Sequence, residues 1–592
     1  MIVERRRGWL SAALTLRVTL AWALVAVLLL ATHFAAIAAR RFPDPDDVLR
    51  LVQLRDLLGG QGWFDVTQYR LDAPHGGVPM HWSRLVDIPL LLVIGGLTPL
   101  IGAGAAEFVA LTAVPLVTLY LAMLLAARLA WRLVDLEAAT LAALVMALSA
   151  PLLFQFAPLR IDHHGWQVVC ALAAANALTE RSVARGGALL GLALASWLAI
   201  SLEGLPLATA FCAIAGLRWL RDPKDRMLLT RALQVLAFAS LALFAATRGL
   251  SDLAPHCDML SLPFLAVLCW GALGSTLLAT VRLPLSSLLA GFALTGAGAI
   301  GIVMLAAPDC LGGGFAATDP LVRELWLSQV MEGMPVWRQP PATMLQILLL
   351  PLFGVLAAFA LYLRSSDWLR AFWFDYALLL LAALAVTCLV ARAGAVAAAL
   401  AAAPLGWQLR SWLAALRGPA PVPRRCLAAA AILLAFVPTL PLAVLGWERV
   451  RPGDAQKIVP EGERASSCDV ARAAPAIAAL PRGEIAAPLD IAPALLLDTP
   501  HSLVASGHHR GSAGIRFIFD LFAAEPASAR AMLAARGTRY LALCPGLTEF
   551  RLHAARSPGG LADRILRGDE PGWLEPVATG DSGLRVWRIR PV

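Results

Sequence analysis

Three polar segments of the sequence place carboxylate and imidazole side chains beside long apolar stretches. They span residues 41–50, 160–167 and 326–335. Charged groups next to hydrocarbon are costly to place, so they are commonly functional. Together the segments supply oxygen and imidazole ligands for one divalent cation, which would be Mg²⁺ or Mn²⁺ if carboxylates predominate. The candidate ligands are Asp44, Asp46 and Asp47 in the first segment, Asp162, His163 and His164 in the second, and Glu332 in the third.

Each segment also has a simpler structural interpretation. Asp44 precedes a proline, and Asp followed by Pro is a favoured helix start. The first cluster can therefore be explained simply as a helix cap. Asp162 can cap the helix that follows it, while the two histidines contact water at the membrane interface. Glu332 lies in a long loop, where a glutamate is usually solvated. The combination of the three segments, and no single one of them, indicates a site.

The elements that must position these segments are membrane-spanning helices. Of the 592 residues, 59% are hydrophobic and only 15% are charged, and the mean hydropathy of +0.71 excludes a soluble globular class. Runs such as 18–38, 108–127 and 343–363 exceed the roughly 18 apolar residues that cross a bilayer. We therefore predict a mainly α-helical, polytopic membrane protein with about thirteen spans. They begin near residues 16, 107, 136, 165, 186, 205, 232, 262, 285, 342, 371, 393 and 426.

The distribution of Lys and Arg predicts the orientation of the spans. The first apolar run ends at Arg40 and Arg41 and not at a small-residue cleavage site, so it is interpreted as a retained helix with a cytoplasmic N-terminus. The apolar stretch 85–101 either spans the membrane or lies in the outer interface. We adopt the second alternative because it keeps the later basic clusters inside, so the net charge of +9 indicates orientation and not a nucleic-acid partner. Those clusters lie at 128–132, 181–185, 218–231, 364–370 and 410–425.

Two domains follow from this layout. Residues 1–446 form a transmembrane domain with outside loops at 40–105, 158–165 and 307–341, and residues 447–592 form an external domain. An odd number of spans sends the external domain to the periplasmic side of a bacterial inner membrane. Its mixed pattern predicts a small α/β domain. Strands are expected at 484–490, 540–544 and 584–589, and a helix at 528–536.

The nine cysteines show no CxxC or Cys/His metal spacing. Five lie within or at the ends of apolar segments and are interpreted as small buried hydrophobic residues. The other four fall outside the membrane, where an oxidising compartment permits disulfides. We predict a bond between Cys468 and Cys544, and a second between Cys257 and Cys310, which belong to two different loops.

The polar segments resemble motifs of a known family. Asp44-Pro45 followed by Arg50 resembles the first-loop Asp-Pro segment of the catalytic subunit of oligosaccharyltransferase, a member of the C-type (GT-C) glycosyltransferase superfamily. Asp162-His163-His164 is similar to the Asp-His-His motif of its archaeal forms, and Val330-Met331-Glu332 is similar to the Ser-Val-Ser-Glu motif of its fifth loop. The order of the motifs and the external C-terminal domain also match. The resemblance covers roughly residues 10–445.

The resemblance implies roles for individual residues. Asp44, Asp162 and His164 would ligate the metal, with Asp46, Asp47 and His163 as alternates. Glu332 would lie near the acceptor and the metal. Arg392, at the outer end of a span, resembles the arginine that holds the lipid-linked phosphate, a role suited to a planar bidentate donor. An interface anchor whose charge reaches into water is an equally simple role for Arg392.

The implied function is metal-dependent glycosyl transfer from a polyprenyl-phosphate or polyprenyl-pyrophosphate carrier to an acceptor at the outer face. The Trp-Trp-Asp motif that reads Asn-x-Ser/Thr in this family does not occur in the C-terminal sequence, so the acceptor is an open choice among glycan, lipid and protein. The alternatives are a lipid or polysaccharide transporter or flippase, and a non-catalytic assembly factor. Transport predicts ionisable residues at mid-membrane, whereas Glu203, near an outer end, is the one conspicuous acid inside a predicted span.

Overall fold

A computed structural model describes residues 10–250, 252–439 and 468–591. This part of the chain divides into two compact units. The first unit contains residues 10–41, 83–316 and 330–439, and the second contains residues 42–82, 317–329 and 468–591. The predicted domain boundary at residue 447 lies outside the described residues.

Helices account for most of the described chain, which confirms the predicted fold class. In chain order they are α1 (Ala12–Thr32), α2 (Phe34–Ala38), α3 (Pro45–Leu58), α4 (Asp87–Ile101), α5 (Ala103–Leu133), α6 (Leu136–Ala147), α7 (Ala150–Phe154), α8 (His164–Ala177), α9 (Val183–Ile200), α10 (Leu205–Arg221), α11 (Arg226–Thr247), α12 (Leu262–Thr280), α13 (Leu285–Ala306), α14 (Pro320–Leu325), α15 (Pro341–Arg364), α16 (Asp367–Leu389), α17 (Gly394–Arg417), α18 (Val422–Phe436), α19 (Val470–Ala478), α20 (Ala492–Asp498), α21 (Ser512–Ala523), α22 (Pro526–Arg536), α23 (Thr548–Arg556) and α24 (Leu561–Arg567). The strands are β1 (Thr67–Gln68), β2 (Val78–Pro79), β3 (Glu484–Ala486), β4 (Ser502–Leu503), β5 (Tyr540–Leu543), β6 (Leu574–Val577) and β7 (Arg585–Ile589).

A helix lies at each of the thirteen predicted span positions. Among the described residues, eight helices are long and apolar enough to cross a bilayer, so the protein is a multi-pass membrane protein. The helices α6 and α8 have only 12 and 14 residues, and the exact number of spans stays a prediction. The apolar stretch near residue 85 forms α4, whose 15 residues extend about 22 Å, less than the roughly 30 Å of a hydrocarbon core. That length is consistent with the predicted interfacial position.

Glycines allow the helices of the first unit to pack backbone against backbone. A Cβ atom at Gly187 in α9 would lie 2.5 Å from the carbonyl oxygen of Leu228 in α11, and one at Gly191 would lie 2.3 Å from that of Ala232. Both distances are too short for any side chain. Close approach through small residues is a common way for helices to associate in lipid, where no hydrophobic effect drives them together.

Buried arginines in the first unit are neutralised by specific partners. Arg128 donates to Asn176 over 2.7 Å, and Arg128 and Arg132 both bond Glu180, at 3.2 and 2.5 Å. Arg218, which is partly buried, and Arg221, which is exposed, both pair with Asp375, which is buried in α16. These basic clusters therefore hold helices together, a role that the interpretation by orientation alone did not include.

The second unit is built on a five-stranded sheet in the order β4-β3-β5-β7-β6. Strand β3 is parallel to β4 and β5, whereas β7 is antiparallel to both β5 and β6. The expected strands correspond to β3, β5 and β7, and the expected helix is α22, which confirms the predicted α/β domain. The strands β4 and β6 were not predicted.

Two segments that the sequence analysis treated as loops of the transmembrane domain pack within the second unit. Residues 42–82 contribute Leu49, Leu71 and Trp82, and residues 317–329 contribute Val322, to the same hydrophobic core as the sheet. The backbone N–H of Leu503 also donates to the carbonyl of Arg70 over 2.8 Å. The shared core is the physical reason that these segments belong with the C-terminal residues.

Both predicted disulfides are present. Cys468 is bonded to Cys544 in the second unit, with 5.9 Å between Cα atoms, and Cys257 is bonded to Cys310 in the first, with 4.9 Å. The second bond joins the segment before α12 to the segment after α13. Of the five free cysteines, Cys269 and Cys426 are exposed on the protein and so are not buried as expected.

Candidate active site

Asp162 organises the polar segment between α7 and α8. Its Oδ1 accepts the backbone N–H of His164 at 2.9 Å, and its Oδ2 is 2.7 Å from His164 Nδ1. The Arg160 guanidinium lies 3.1 Å from Oδ2 on the other side. The capping interpretation is therefore correct for the backbone contact, but the ring and guanidinium contacts exceed what a cap requires.

The charge of Asp162 is stabilised although its side chain is only 2% exposed. Burial alone would raise the pKa of this carboxyl, but the positive charges of Arg160 and His164 outweigh burial and hold the pKa well below its usual range. The segment is also sterically fixed, because a Cβ at Gly165 would lie 2.9 Å from the carbonyl oxygen of Gln155. The result is an ionised carboxylate in a rigid, buried setting.

Asp162, His163 and His164 form a possible metal-binding group. Each offers one ligand atom, and these atoms lie within 4.8 Å of one another. The two imidazole rings stack with 4.4 Å between centroids. Within the described residues, His163 Nδ1 and His164 Nε2 are buried and have no hydrogen-bond partner. Two orphaned ring nitrogens beside an ionised carboxylate fit a divalent cation, because unpaired buried nitrogens are otherwise unfavourable.

Arg392 lies in a short 3-10 turn between α16 and α17, at the predicted end of a span. Its Nη1 donates to Glu203 Oε1 at 2.5 Å, and its Nη2 lies 3.3 Å from Glu332 Oε1. The side chain is 15% exposed, so the interpretation as a simple interface anchor does not describe its contacts. The guanidinium instead bridges two carboxylates.

Glu332 is held over Arg392 by the loop that contains it. A Cβ at Gly333 would lie 3.0 Å from Arg392 Nη2, so the absence of a side chain there permits the close approach. The backbone N–H of Ala391 donates to the carbonyl of Met334 over 3.0 Å. Val336 then packs with Ile347 and Ala391 in a small hydrophobic cluster. The loop is thus pinned to the turn that carries the arginine.

Glu203 connects the Asp162–His163–His164 group to the Arg392–Glu332 pair. It was not among the predicted site residues. Its Oε2 lies 3.9 Å from His163 Nε2, while its Oε1 receives the Arg392 bond. It lies in a 3-10 turn (Leu202–Gly204) after α9 ends at Ile200, and not inside a span as the sequence analysis placed it. No sequence signal linked Glu203 to Arg392, because the two residues are 189 positions apart.

The predicted residues therefore fall into two sets. Asp162, His163, His164, Glu332 and Arg392 all belong to the first unit and are joined by the contacts above. Asp44, Asp46 and Asp47 belong to the second unit. There Asp44 accepts the backbone N–H of Asp46 at 2.8 Å and caps α3, with Pro45 in the first turn, as the simpler interpretation expects. Participation of this trio in metal binding stays a prediction.

A second possible metal-binding group lies in the second unit and was also missed. It consists of His81, His508 and His509, with His81 Nδ1 3.0 Å from His508 Nε2. His81 follows β2 and the other two residues follow β4. The pairing joins positions 427 residues apart, so spacing along the sequence gave no indication of it.

No protein-family model and no curated protein sequence matches the chain. Solved structures of the archaeal oligosaccharyltransferase AglB from Archaeoglobus fulgidus are similar to it. The apo form has a TM-score of 0.65 at 15% identity, over 95% of this chain and 74% of that chain. The complex with an inhibitory peptide and a dolichol-phosphate has a TM-score of 0.64 at 13% identity, with the same coverage. The complex with Zn and sulfate has a TM-score of 0.57 at 14% identity, over 92% and 70%.

These values establish a shared fold. The chain has the architecture of the archaeal oligosaccharyltransferase, the GT-C fold, across nearly its whole length. This is the fold that the resemblance of three short motifs implied. At 13–15% identity the likeness extends to the fold alone.

Proposed function

We propose that this membrane protein of GT-C fold is a metal-dependent glycosyltransferase. It moves a sugar or oligosaccharide from a polyprenyl-phosphate or polyprenyl-pyrophosphate carrier to an acceptor at the outer face of a bacterial inner membrane. The observation that carries the proposal is the linked set of Asp162, His163, His164, Glu203, Arg392 and Glu332. These groups suit an anionic lipid donor and an acceptor that loses a proton.

Asp162 and His164 are the proposed metal ligands in the first unit, and His163 is the alternate. The metal-binding roles of Asp44, Asp46 and Asp47 stay predictions from the resemblance. When bound, a divalent cation supplies positive charge that stabilises the departing phosphate. Mg²⁺ and Mn²⁺ are the proposed ions, and the two imidazoles also favour Zn²⁺, the ion in one of the similar AglB structures. Asp162 keeps His164 Nδ1 engaged, so that the buried Nε2 is the ring nitrogen left to bind the ion.

Arg392 and Glu332 have complementary proposed roles. The guanidinium of Arg392 binds the phosphate oxygens of the donor, since its planar donors match phosphate geometry. The acceptor attacks the sugar carbon, the bond from that carbon to the phosphate oxygen breaks, and Glu332 receives the acceptor proton. The 3.3 Å contact between these two side chains would bring leaving group and acceptor to the same place.

The acceptor is a glycan, a lipid or a protein. The similar AglB structures include one tethered to an acceptor peptide with an NVT sequon. The C-terminal sequence of this chain lacks Trp-Trp-Asp, so recognition of Asn-x-Ser/Thr is the least favoured of the three choices.

The outer-face placement is supported by the disulfides. All four cysteines predicted to lie outside are paired, and disulfides persist in oxidising compartments such as the periplasm. The loop that contains Cys310 leads to Glu332 within the same stretch between α13 and α15. An outside position for Cys310 therefore supports an outside position for Glu332.

Deletion of the gene in its host, followed by mass spectrometry of extracted lipids, tests the function. We expect a polyprenyl-linked sugar to accumulate and to disappear when the wild-type gene is restored, but not when Asp162→Asn is restored. Accumulation on the cytoplasmic side only, measured by protection from a glycosidase added outside, would favour the flippase alternative. An unchanged lipid profile would contradict both.

A further inference from the structure

Glu203 is held in place by its own turn. The hydroxyl of Ser201 accepts the backbone N–H of Glu203 at 3.3 Å, which caps the turn. Gly204 then lies flat against Trp197, where a Cβ would come within 2.4 Å of the indole Nε1. Any other residue at 204 would push the turn away from α9. The backbone that presents the carboxylate is therefore closely constrained.

The carboxylate of Glu203 lies among three potential anion ligands. Oε1 accepts from Arg392, while Oε2 accepts from Gln167 Nε2 at 3.2 Å and lies 3.9 Å from His163 Nε2. Gln167 is fixed in turn because its Oε1 accepts the Trp197 indole N–H at 3.0 Å. A guanidinium, an amide and an imidazole that converge on one carboxylate form the same donor set that a phosphate group requires.

Glu203 is charged in this position, where about two-thirds of its side chain is buried and 35% is exposed. The ion pair with Arg392, at 2.5 Å from Nη1 to Oε1, stabilises the ionised form of the carboxylate. An ionised carboxylate thus occupies the centre of the donor set.

We propose that Glu203 is an internal occupant of the Arg392 anion site, which it fills in the empty protein and yields to the phosphate of the lipid donor. This inference rests on the proposed function. A phosphate oxygen bound at Arg392 Nη1 would lie beside the Glu203 carboxylate, and the two negative charges would repel each other, so binding is an exchange of one anion for another. Glu203 then turns toward His163, whose Nε2 already lies 3.9 Å from Oε2.

The exchange gives the site its selectivity. A pyrophosphate donor, or the phosphate monoester that remains on the lipid after transfer, carries up to two negative charges and several acceptor oxygens, so it replaces a single carboxylate with a net gain in charge pairing. A neutral lipid or a ligand with one carboxylate gains nothing over Glu203 and leaves it in place. Glu203 is in this sense a specificity-determining residue for the anion, and not a ligand of it.

The proposal and a purely structural role predict opposite effects of the same substitution. If Glu203 competes with phosphate, Glu203→Gln removes the competitor and tightens phosphate binding. If Glu203 only orients Arg392, the same change loosens the guanidinium and weakens binding. Glu203→Ala, which removes the whole side chain, must act in the same direction as Glu203→Gln under the proposal.

The test uses the full-length protein in detergent, with farnesyl phosphate and inorganic phosphate as probes in isothermal titration calorimetry. For Glu203→Gln and Glu203→Ala we expect farnesyl phosphate to bind about threefold or more tightly than to wild type, as the loss of a partly exposed ion pair allows. Inorganic phosphate should show the same direction of change. Tighter absolute binding of farnesyl phosphate identifies the lipid as the source of the anion, whereas equal affinity identifies free phosphate.

Glu180→Gln is the matched control. Glu180 also pairs with arginines, but it follows the end of α8 opposite to His164, about 20 Å along the helix axis. The Glu180→Gln substitution should leave the affinities for farnesyl phosphate and for inorganic phosphate unchanged. Unchanged or weaker binding by both Glu203 variants, with melting temperatures that show folded protein, overturns the inference. If wild type binds no farnesyl phosphate, or if Arg392→Gln binds it equally well, the proposed function itself fails.

Discussion

The carboxylate of Asp162 holds His164 at two points, the backbone N–H at 2.9 Å and the ring Nδ1 at 2.7 Å. One side chain therefore begins α8 and also fixes the orientation of the imidazole at its first residue. This double contact separates the two interpretations of Asp162, because a substitution can keep one contact and remove the other.

Asp162→Asn keeps an oxygen for the backbone N–H but removes the charge and one ring acceptor. We expect metal binding and glycosyl transfer to fall by about 10- to 100-fold, as for the loss of a residue that supports a catalytic metal. Thermal unfolding should change little, since the helix cap survives. Transfer assays and metal analysis of the purified variant check this prediction. Full activity in Asp162→Asn would mean that Asp162 is only a cap.

Arg392→Lys replaces a planar donor that bridges Glu203 and Glu332 with a single point charge. Lysine cannot donate along two edges, so we expect the KM for the lipid donor to rise and kcat/KM to fall about tenfold or more. Steady-state kinetics with a polyprenyl-linked donor measure the effect. Arg338→Lys is the control, because Arg338 is an exposed arginine in the same first unit. Equal losses in the two variants would contradict the role of Arg392.

Cys468→Ser and Cys544→Ser each open the bond that closes 76 positions of chain in the second unit. We expect each variant to lose roughly 2–5 kcal/mol of unfolding free energy, because a long loop regains freedom in the unfolded state. Denaturant unfolding of the purified variants, with Cys426→Ser as the control for a free cysteine, provides the measurement. Free thiols at 468 and 544 in non-reducing peptide maps of wild type would remove the basis of this expectation.

Gly191→Ala inserts a methyl group 2.3 Å from the Ala232 carbonyl oxygen, so α9 and α11 must separate. We expect a loss of about 1–3 kcal/mol and a lower melting temperature in detergent. Gly296→Ala is the matched control, since a Cβ there has no atom within 4 Å. It should melt at or slightly above the wild-type temperature, because alanine favours helix. A similar loss in both variants would indicate that helix propensity, and not packing, sets the result.

Single-cysteine labelling tests the orientation. Arg338 is exposed and lies in the first unit close to Glu332 in sequence, and Lys224 is exposed between α10 and α11. In intact spheroplasts we expect an impermeant maleimide to label Arg338→Cys but not Lys224→Cys until the membrane is opened. Asp162 is a poor reporter for this purpose, because burial would shield a cysteine there whichever side it faced. The reverse labelling pattern would invert the proposed topology.

The sequence predicted those parts of the structure that depend on residues close together in the chain. Apolar runs of helical length predicted a helix at each of the thirteen positions. Asp162, His163 and His164 are adjacent in the chain, so the sequence alone placed them together. Glu203 was missed because its meaning depends on Arg392, which only tertiary packing brings to it. The strands β4 and β6 have two and four residues, too few for a pattern of alternation to be visible.

The packing of residues 42–82 with the sheet was not predicted, for a different reason. Leu49, Leu71 and Trp82 are ordinary apolar positions, and nothing in their spacing states which hydrophobic core they enter. Pairing with β4 through Arg70 and Asp72, more than 400 positions away, decides it. Contacts between residues so far apart in sequence cannot be predicted from the composition of either segment.

The helix α13 has one buried residue, Leu288, along its 22 residues. Apart from its contacts with Trp270 of α12 and Trp219 of α10, most of this candidate span is exposed on the protein, so in a bilayer its stability depends strongly on the surrounding lipid. At about 33 Å in length it matches an average bilayer, and a thinner membrane would require it to tilt. Because the Cys257–Cys310 bond fixes the segment that follows it, that tilt would pivot about one end. A change in membrane thickness would therefore act on this protein through the tilt of α13 about its disulfide-fixed end.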